Sequence, residues 1–208
     1  MYYLKEACVE SLEQAVIAEK NGADRIELCA NLELDGLTPS RELITSVSSQ
    51  LDIPVRVMIR PRAGDFMYNN AEMEQMAMDI SFCKEIGVDG VVLGILKENK
   101  SIDIEAIEKL AEIAKPIKLV FHKAIDETPA ILEAVKSLRE SGVVNGILTS
   151  GGKSTAMEGL SQLENIIATA GDMEVICAGK ITSKNIEELH RKINAKAYHG
   201  KRIVPGLE

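Results

Sequence analysis

Short apolar runs alternate along the whole chain with longer segments in which apolar residues recur every three or four positions. That is the pattern of a parallel sheet whose strands are joined by crossover helices. Eight runs of the first kind predict strands at approximately 2–8, 24–29, 54–60, 89–94, 117–122, 145–149, 173–178 and 196–199. The longer segments predict helices at approximately 11–21, 40–50, 70–86, 103–114, 129–141, 155–170 and 182–193. Local punctuation agrees with both sets. Ser11 ahead of Leu12-Glu13-Gln14 has the spacing of a capping box, and Thr38-Pro39-Ser40 and Thr128-Pro129 predict helix starts with proline near the first turn. Gly22, Gly87 and Gly142 each close a helical pattern just before a strand and predict left-handed C-caps.

Strict alternation predicts an α/β fold, a compact (β/α)8 barrel of the TIM type, with residues 1–208 forming one domain. An open doubly wound sheet fits less well, because no Gly-x-Gly-x-x-Gly follows the first strand. The final stretch, Gly200 to Glu208, is short and contains Gly200, Pro205 and Gly206, so the last helix should be incomplete or missing. A side left open there could be covered by another subunit, and a homo-oligomer is expected.

Parity along the strands sets the direction of the side chains. In the third strand Val55, Val57 and Ile59 make an apolar face for the helices and leave Arg56, Met58 and Arg60 for the barrel interior. Likewise Leu119 and Phe121 face out and Lys118, Val120 and His122 face in, while Ile26 and Leu28 leave Glu27 and Cys29 inward. In the first strand Glu6 and Cys8 lie opposite Ala7 and Val9.

Composition narrows the functional classes. The chain has 208 residues, 46% of them apolar, enough for one buried core. Acidic residues outnumber basic ones 32 to 24, and the net charge of -8 repels nucleic-acid phosphates and anionic membrane surfaces. The chain opens on Tyr2-Tyr3-Leu4-Lys5 without a basic, then long apolar, leader, and no apolar stretch approaches the roughly 20 residues of a membrane span. A cytoplasmic protein without nucleic-acid or membrane partners is expected, and the terminal Leu207-Glu208 pair could be foreign to the native chain. The four cysteines, at 8, 29, 83 and 177, lack any C-x-x-C pair, so reduced thiols are expected rather than a zinc ribbon or a disulfide scaffold. No organic cofactor is expected.

In this fold chemistry gathers at the C-terminal ends of the strands. There the sequence places Glu6 and Cys8, then Glu27, Cys29 and Asn31, then Arg60 and Arg62 with Asp65 beyond them. Later strands add His122, Thr149 with Ser150-Gly151-Gly152, and His199. Glu-x-Cys occurs twice, as Glu6-Ala7-Cys8 and Glu27-Leu28-Cys29, and residues two apart on a strand share a face. On neighbouring strands Cys8 and Cys29 could together hold copper(I), which accepts two or three soft ligands; Met58 or His122 could lie nearby. The alternatives are two small buried packing residues or a disulfide. Cys83 and Cys177 read as packing residues.

The charges suggest an enzyme instead. Glu6 or Glu27 could serve as a general base, Arg60 could orient a carboxylate or phosphate, and His122 could be the acid. The competing interpretation is an internal ion-pair lattice, Glu to Arg across the barrel mouth, that satisfies the polar groups and caps the core. Ser150-Gly151-Gly152, before a helix expected near Thr155, has the form of an anion cradle of backbone N–H groups; tight turns alone would also use these glycines.

The motifs Gly22-Ala23-Asp24-Arg25-Ile26-Glu27-Leu28-Cys29-Ala30-Asn31-Leu32, Thr38-Pro39-Ser40 and Val57-Met58-Ile59-Arg60-Pro61-Arg62-Ala63-Gly64-Asp65-Phe66 resemble the copper homeostasis protein CutC family. Phe121-His122, Ala124, Asp126, Leu148-Thr149-Ser150-Gly151-Gly152 and Gly159-Leu160 extend the resemblance from Glu6 to His199. It implies a TIM-type barrel, a cytoplasmic protein and copper(I) as partner, with Cys8 and Cys29 as the thiols. Lys123, Ile125 and Cys177-Ala178-Gly179-Lys180 depart from the family's pattern, as does the short tail. A pocket with so many charges exceeds what two thiolates need, which leaves a role in acting on a small anionic or phosphorylated metabolite open.

Overall fold

Eight parallel strands hydrogen-bond in sequence order, and the last pairs with the first to close a barrel. The structure is a computed structural model that describes residues 3–207. Tyr2, at the predicted start of the first strand, and Glu208 of the terminal pair lie outside the described residues. The strands are β1 (Leu4–Val9), β2 (Arg25–Leu28), β3 (Val55–Met58), β4 (Gly90–Leu93), β5 (Lys118–Phe121), β6 (Gly146–Thr149), β7 (Glu174–Cys177) and β8 (Ala197–Gly200). Between them run α1 (Leu12–Lys20), α2 (Arg41–Gln50), α3 (Asn70–Ile86), α4 (Ile104–Ala114), α5 (Ile131–Ser141), α6 (Leu160–Ala170) and α7 (Ile186–Ile193). This is the (β/α)8 TIM-type fold, and no eighth helix follows β8 among the described residues.

Period-two patterning builds two apolar layers. Ala7, Val9, Ile26, Leu28, Val57, Ile59, Leu119, Phe121 and Tyr198 face outward and pack with residues such as Ile80, Ile107 and Leu163 from the helices. Inside, Cys8, Cys29, Met58, Val92, Val120, Leu148, Ile176, Ala178 and Ala197 fill the barrel as a smaller cluster. Full burial of a side chain such as Phe121 or Ile26 contributes about 1.5–3 kcal/mol, so the outer layer carries most of the apolar stabilisation.

Three helix starts differ from expectation. α6 begins at Leu160, not near Thr155, because the chain first detours across the mouth of the barrel: Ala156 N–H donates to the Gly179 carbonyl at 2.9 Å. Gly159 lies so close to this turn that a Cβ would stand 2.2 Å from the Ser150 carbonyl oxygen. α5 starts after Pro129, since a 3₁₀ turn over Lys123–Glu127 takes up the chain beyond β5. α7 starts at Ile186, after a turn in which Asn185 N–H donates to the Thr182 carbonyl at 3.1 Å.

The caps follow the local chemistry. Gly87 and Gly142 are left-handed C-caps, and Gly22, at φ +85°, sits one residue past the C-cap Asn21. Ser11 accepts from Gln14 N–H at 3.2 Å, but the Gln14 side chain accepts from Glu10 N–H rather than from Ser11, so only half of the expected box forms. The missing helix is replaced by the tail. Ile203, Val204 and Leu207 are buried in the outer core, and Asn21 Nδ2 donates to the Pro205 carbonyl at 2.8 Å. Leu207 thus packs as part of the fold, and the side on which a second subunit was anticipated is covered by the chain itself. Among the described residues no helix is long and apolar enough to cross a membrane.

Candidate metal centre and the cavity above it

Barrel closure brings β8, β1 and β2 side by side, and their upper inward positions carry His199, Cys8, Glu27 and Cys29. Cys8 stands in register with Glu27, and Glu6 with His199. Cys29 N–H donates to the Val9 carbonyl at 2.9 Å, which continues the pairing one residue beyond β2 and holds the second thiol beside the first. The two sulfur atoms are 3.8 Å apart, both buried and both free. Gly36 makes room for them: at φ +86°, a Cβ there would stand 3.3 Å from Cys29 Sγ. His199 Nδ1 lies 3.0 Å from Glu6 Oε1 and its Nε2 lies 3.4 Å from Glu27 Oε2. One ligating atom each from Cys8, Glu27 and His199 lies within 4.8 Å of the others.

Charge in this cluster is polarised. A hydrogen bond from the Cys29 thiol outweighs burial, and with His199 and Glu27 beside it brings the Cys8 pKa down to about 5. The same bond, together with burial and the nearby anions, holds the Cys29 thiol well above its ordinary value. Burial and the charges of Cys8 and Glu6 raise Glu27, against the pull of His199. Burial alone would depress His199, but Glu27, Cys8 and Glu6 overcome it and favour the imidazolium.

Glu6 sits one layer lower. It pairs with Arg25 and lies 3.7 Å from Arg56, and these, with His199, hold its pKa at about 2 in spite of burial. Arg25 and Arg56 also reach Glu174 at 3.1 and 2.9 Å, and Arg56 reaches Asp89 at 3.0 Å. An ion-pair lattice therefore exists, but at the bottom of the barrel and not across its mouth as expected, with Arg25 and Arg56 as its cations rather than Arg60. Register supplied Arg25: it stands directly opposite Glu6.

Above the thiols opens a cavity of about 720 Å³, within the range of small-molecule sites. Glu27, Arg60 and His122 line it; Glu6 does not. Arg60 donates through Nη1 to the Leu34 and Gly36 carbonyls at 2.9 and 3.3 Å and through Nη2 to Gly64 at 3.0 Å, with its guanidinium 4.8 Å from the Phe66 ring centre. His122 accepts from Ala124 N–H at Nδ1, 3.1 Å away, which leaves its proton on Nε2. A Cβ at Gly94 would stand 2.5 Å from that ring, so glycine is required where β4 passes it. Burial, then Arg60, depresses the His122 pKa to about 3, so the ring is neutral. Glu27 Oε1, Arg60 Nε and His122 Nε2 are buried without a hydrogen-bond partner.

The Ser150-Gly151-Gly152 turn does cradle an anion, and the anion is the chain's own Asp126. Its carboxylate accepts from Ser150 N–H, Gly152 N–H, Ser150 Oγ and Thr149 Oγ1 at 2.9, 2.9, 2.8 and 2.5 Å. No helix starts at this turn, so two features expected of a phosphate site are absent from it. Arg62 and Asp65 pair with each other at 2.9 Å away from the cavity, and Arg62 also meets Glu72 at 2.6 Å. Cys83 and Cys177 pack in the outer core, and burial pushes both thiols up to about 12.

A sequence profile of the CutC family matches residues 3–204. The chain is 41% identical over 198 residues to a protein of Homo sapiens named copper homeostasis protein cutC homolog, across 95% of this chain and 72% of that one. It is 43% identical over 176 residues to a CutC family protein of Salmonella typhi, across 85% of this chain and 67% of the other. A crystal structure from Streptococcus agalactiae, of a protein assigned to CutC and copper homeostasis, superposes with a TM-score of 0.92 at 34% identity, covering 97% of this chain and all 100% of that one.

Proposed function

The chain belongs to the CutC family, and from that premise we propose that it binds copper(I) through Cys8 and Cys29 in the cytosol, as one domain serving copper homeostasis. The observation that carries this is the 3.8 Å separation of two free, buried sulfur atoms. Copper(I) prefers soft thiolates, and the ionised Cys8 beside a Cys29 proton that metal can displace supplies them. Four free cysteines, two of them at near contact and unbonded, fit a reducing compartment.

Anaerobic copper(I) titration against a chelating competitor tests the proposal. Wild type should bind one tight equivalent, Cys8→Ser and Cys29→Ser should each lose most of the affinity, and the double variant should bind none. Unchanged stoichiometry in the double variant would remove these thiols from copper binding.

A second function is favoured by a different observation, the three partnerless polar atoms of Glu27, Arg60 and His122 on the cavity wall. They suit a TIM-barrel enzyme acting on a small anionic metabolite. Arg60 would hold the anion, the His122 Nε2–H would polarise an oxygen, and Glu27 would exchange a proton, with Glu6 acting through His199. Six lysine and arginine side chains line the cavity against four carboxylates, in a chain that is acidic as a whole.

A further inference from the structure

Two sulfur atoms 3.8 Å apart cannot flank a metal in a straight line, since two metal–sulfur bonds of about 2.3 Å would span about 4.6 Å. A bent site wants further donors, and the nearest are not sulfur. Around Cys8 Sγ stand a Glu27 carboxylate oxygen and a His199 ring nitrogen, mutually within 4.8 Å. We propose that Cys8, Glu27 and His199 form a three-ligand site for a divalent ion of borderline softness, with Zn²⁺ as the example, and that Cys29 lies beside this site rather than in it. The site shares Cys8 with the copper(I) reading and rests on it to that extent, but it requires no copper.

Donor chemistry points to the divalent ion. Copper(I) selects thiolate and thioether, whereas one sulfur, one imidazole nitrogen and one carboxylate oxygen match zinc, which commonly keeps three protein ligands and one open position. The three donors come from adjacent strands β8, β1 and β2, so the sheet itself fixes their spacing.

The surroundings of His199 are those of a metal ligand. Its Nδ1 is held by Glu6 Oε1 at 3.0 Å, which leaves Nε2 on the side of Glu27 and Cys8. A carboxylate behind a ligating imidazole fixes its tautomer and orientation. Glu6 is fixed in turn by Arg25 and Arg56. Glu27 Oε1, buried and without a partner, is a second and independent sign that this carboxylate lacks something it was placed to meet. Cys8, Glu27 and His199 all line the cavity, so a fourth ligand, water or a small anion, would enter from there.

Anaerobic Zn²⁺ titration with a chelating indicator, run on wild type, His199→Phe, Glu27→Gln and Cys29→Ser, decides the matter. One equivalent per chain is expected for wild type, with losses of more than ~100-fold for His199→Phe and Glu27→Gln and only a few-fold change for Cys29→Ser. Co²⁺ offers a readout independent of affinity: wild type and Cys29→Ser should show a thiolate-to-cobalt charge-transfer band that Cys8→Ser abolishes. Should His199→Phe fold poorly, Glu27→Gln and the Co²⁺ band carry the test. Zinc binding unaffected in Glu27→Gln, or lost in Cys29→Ser, would overturn the assignment. The same variants titrated with copper(I) keep the two proposals apart, because Cys29→Ser should lose copper(I) and retain zinc, and either result can fail without the other.

Discussion

Below the inner plug of Cys8, Met58 and Ile176, Arg56 spans Asp89 and Glu174 while Arg25 spans Glu6 and Glu174, and among the described residues of this layer only Arg25 Nη2 is left without a partner. Above the plug, Glu27 Oε1, Arg60 Nε and His122 Nε2 all lack one. Both layers bury charge inside the same barrel, yet the lower closes on itself and the upper does not. Buried polar groups are costly to leave unsatisfied, so a layer that keeps several of them on a cavity wall is shaped for something that enters. The lower layer needs no such visitor, and its effect is on stability.

Removing one partner from the lower lattice gives the largest expected effect. Arg56→Met removes one cation from each of Glu6, Glu174 and Asp89, of which the first two keep Arg25 and the third keeps Lys118, so the loss should fall at the low end for a buried pair broken from one side, about 3 kcal/mol. Urea denaturation at neutral pH measures it. A loss below about 1 kcal/mol, the range of an exposed pair, would mean the lower layer is as slack as the surface.

Acid separates the two layers by window. The His122 pKa of about 3 lies below its ordinary 6.5, so the unfolded chain takes up the proton first, and the stability contributed by the neutral ring is full above 6.5 and lost as pH falls toward 3. Glu6, at about 2 against an ordinary 4.5, contributes stability that is full above 4.5 and lost as pH falls toward 2. Between pH 6.5 and 4.5 only the upper residue of this pair responds. The stability difference between wild type and His122→Phe should therefore shift by about 2 kcal/mol against wild type across that window, a little under two full units at 1.36 kcal/mol each because the unfolded ring is already half protonated at pH 6.5. A constant difference from pH 6.5 to 4.5 would show that His122 protonates in the folded protein as readily as in the unfolded chain.

How much of this was legible beforehand follows the range of the interactions. Parity alone placed Arg56, Met58, Glu27 and Cys29 inside, because period two is a local property of each strand. Cys8 and Cys29 could be paired because consecutive strands in a barrel are neighbours. His199 was visible only as the end of a strand; that it stands between Glu6 and Glu27 depends on closure of β8 onto β1, nearly the full chain length apart, and no local pattern encodes that register. The Ser150–Gly152 sequence suits an anion cradle and a tight turn equally well, and nothing local to it points to Asp126, whose carboxylate meets the turn from a different loop. The apolar periodicity of α6 was clear while its first turn was not, since residues 155–159 are held by tertiary contacts with Ser150 and Gly179.

The smallest expected effect sharpens the comparison within the upper layer itself. Its two anion-binding features differ in how the chain meets them: the Thr149–Gly152 cradle is closed by the Asp126 carboxylate, whereas Arg60 Nε and His122 Nε2 meet no hydrogen-bond partner among the described residues. Millimolar malonate, a small dicarboxylate probe, should raise the Tm of wild type and leave that of His122→Phe unmoved. Occupancy at about ten times Kd stabilises by about 1.4 kcal/mol, and each kcal/mol moves the Tm of a chain this size by about 2–4 °C. Inorganic phosphate should raise the Tm of Asp126→Ala by more than that of wild type, because the Ser150 and Gly152 N–H groups are then released to an external anion. Absence of a malonate response in wild type would count against an enzyme of small anions, because the partnerless donors would then be buried at a cost that no ligand relieves. A phosphate response in wild type that Asp126→Ala does not enlarge would place the phosphate elsewhere and leave the cradle as a turn that the chain closes with its own charge.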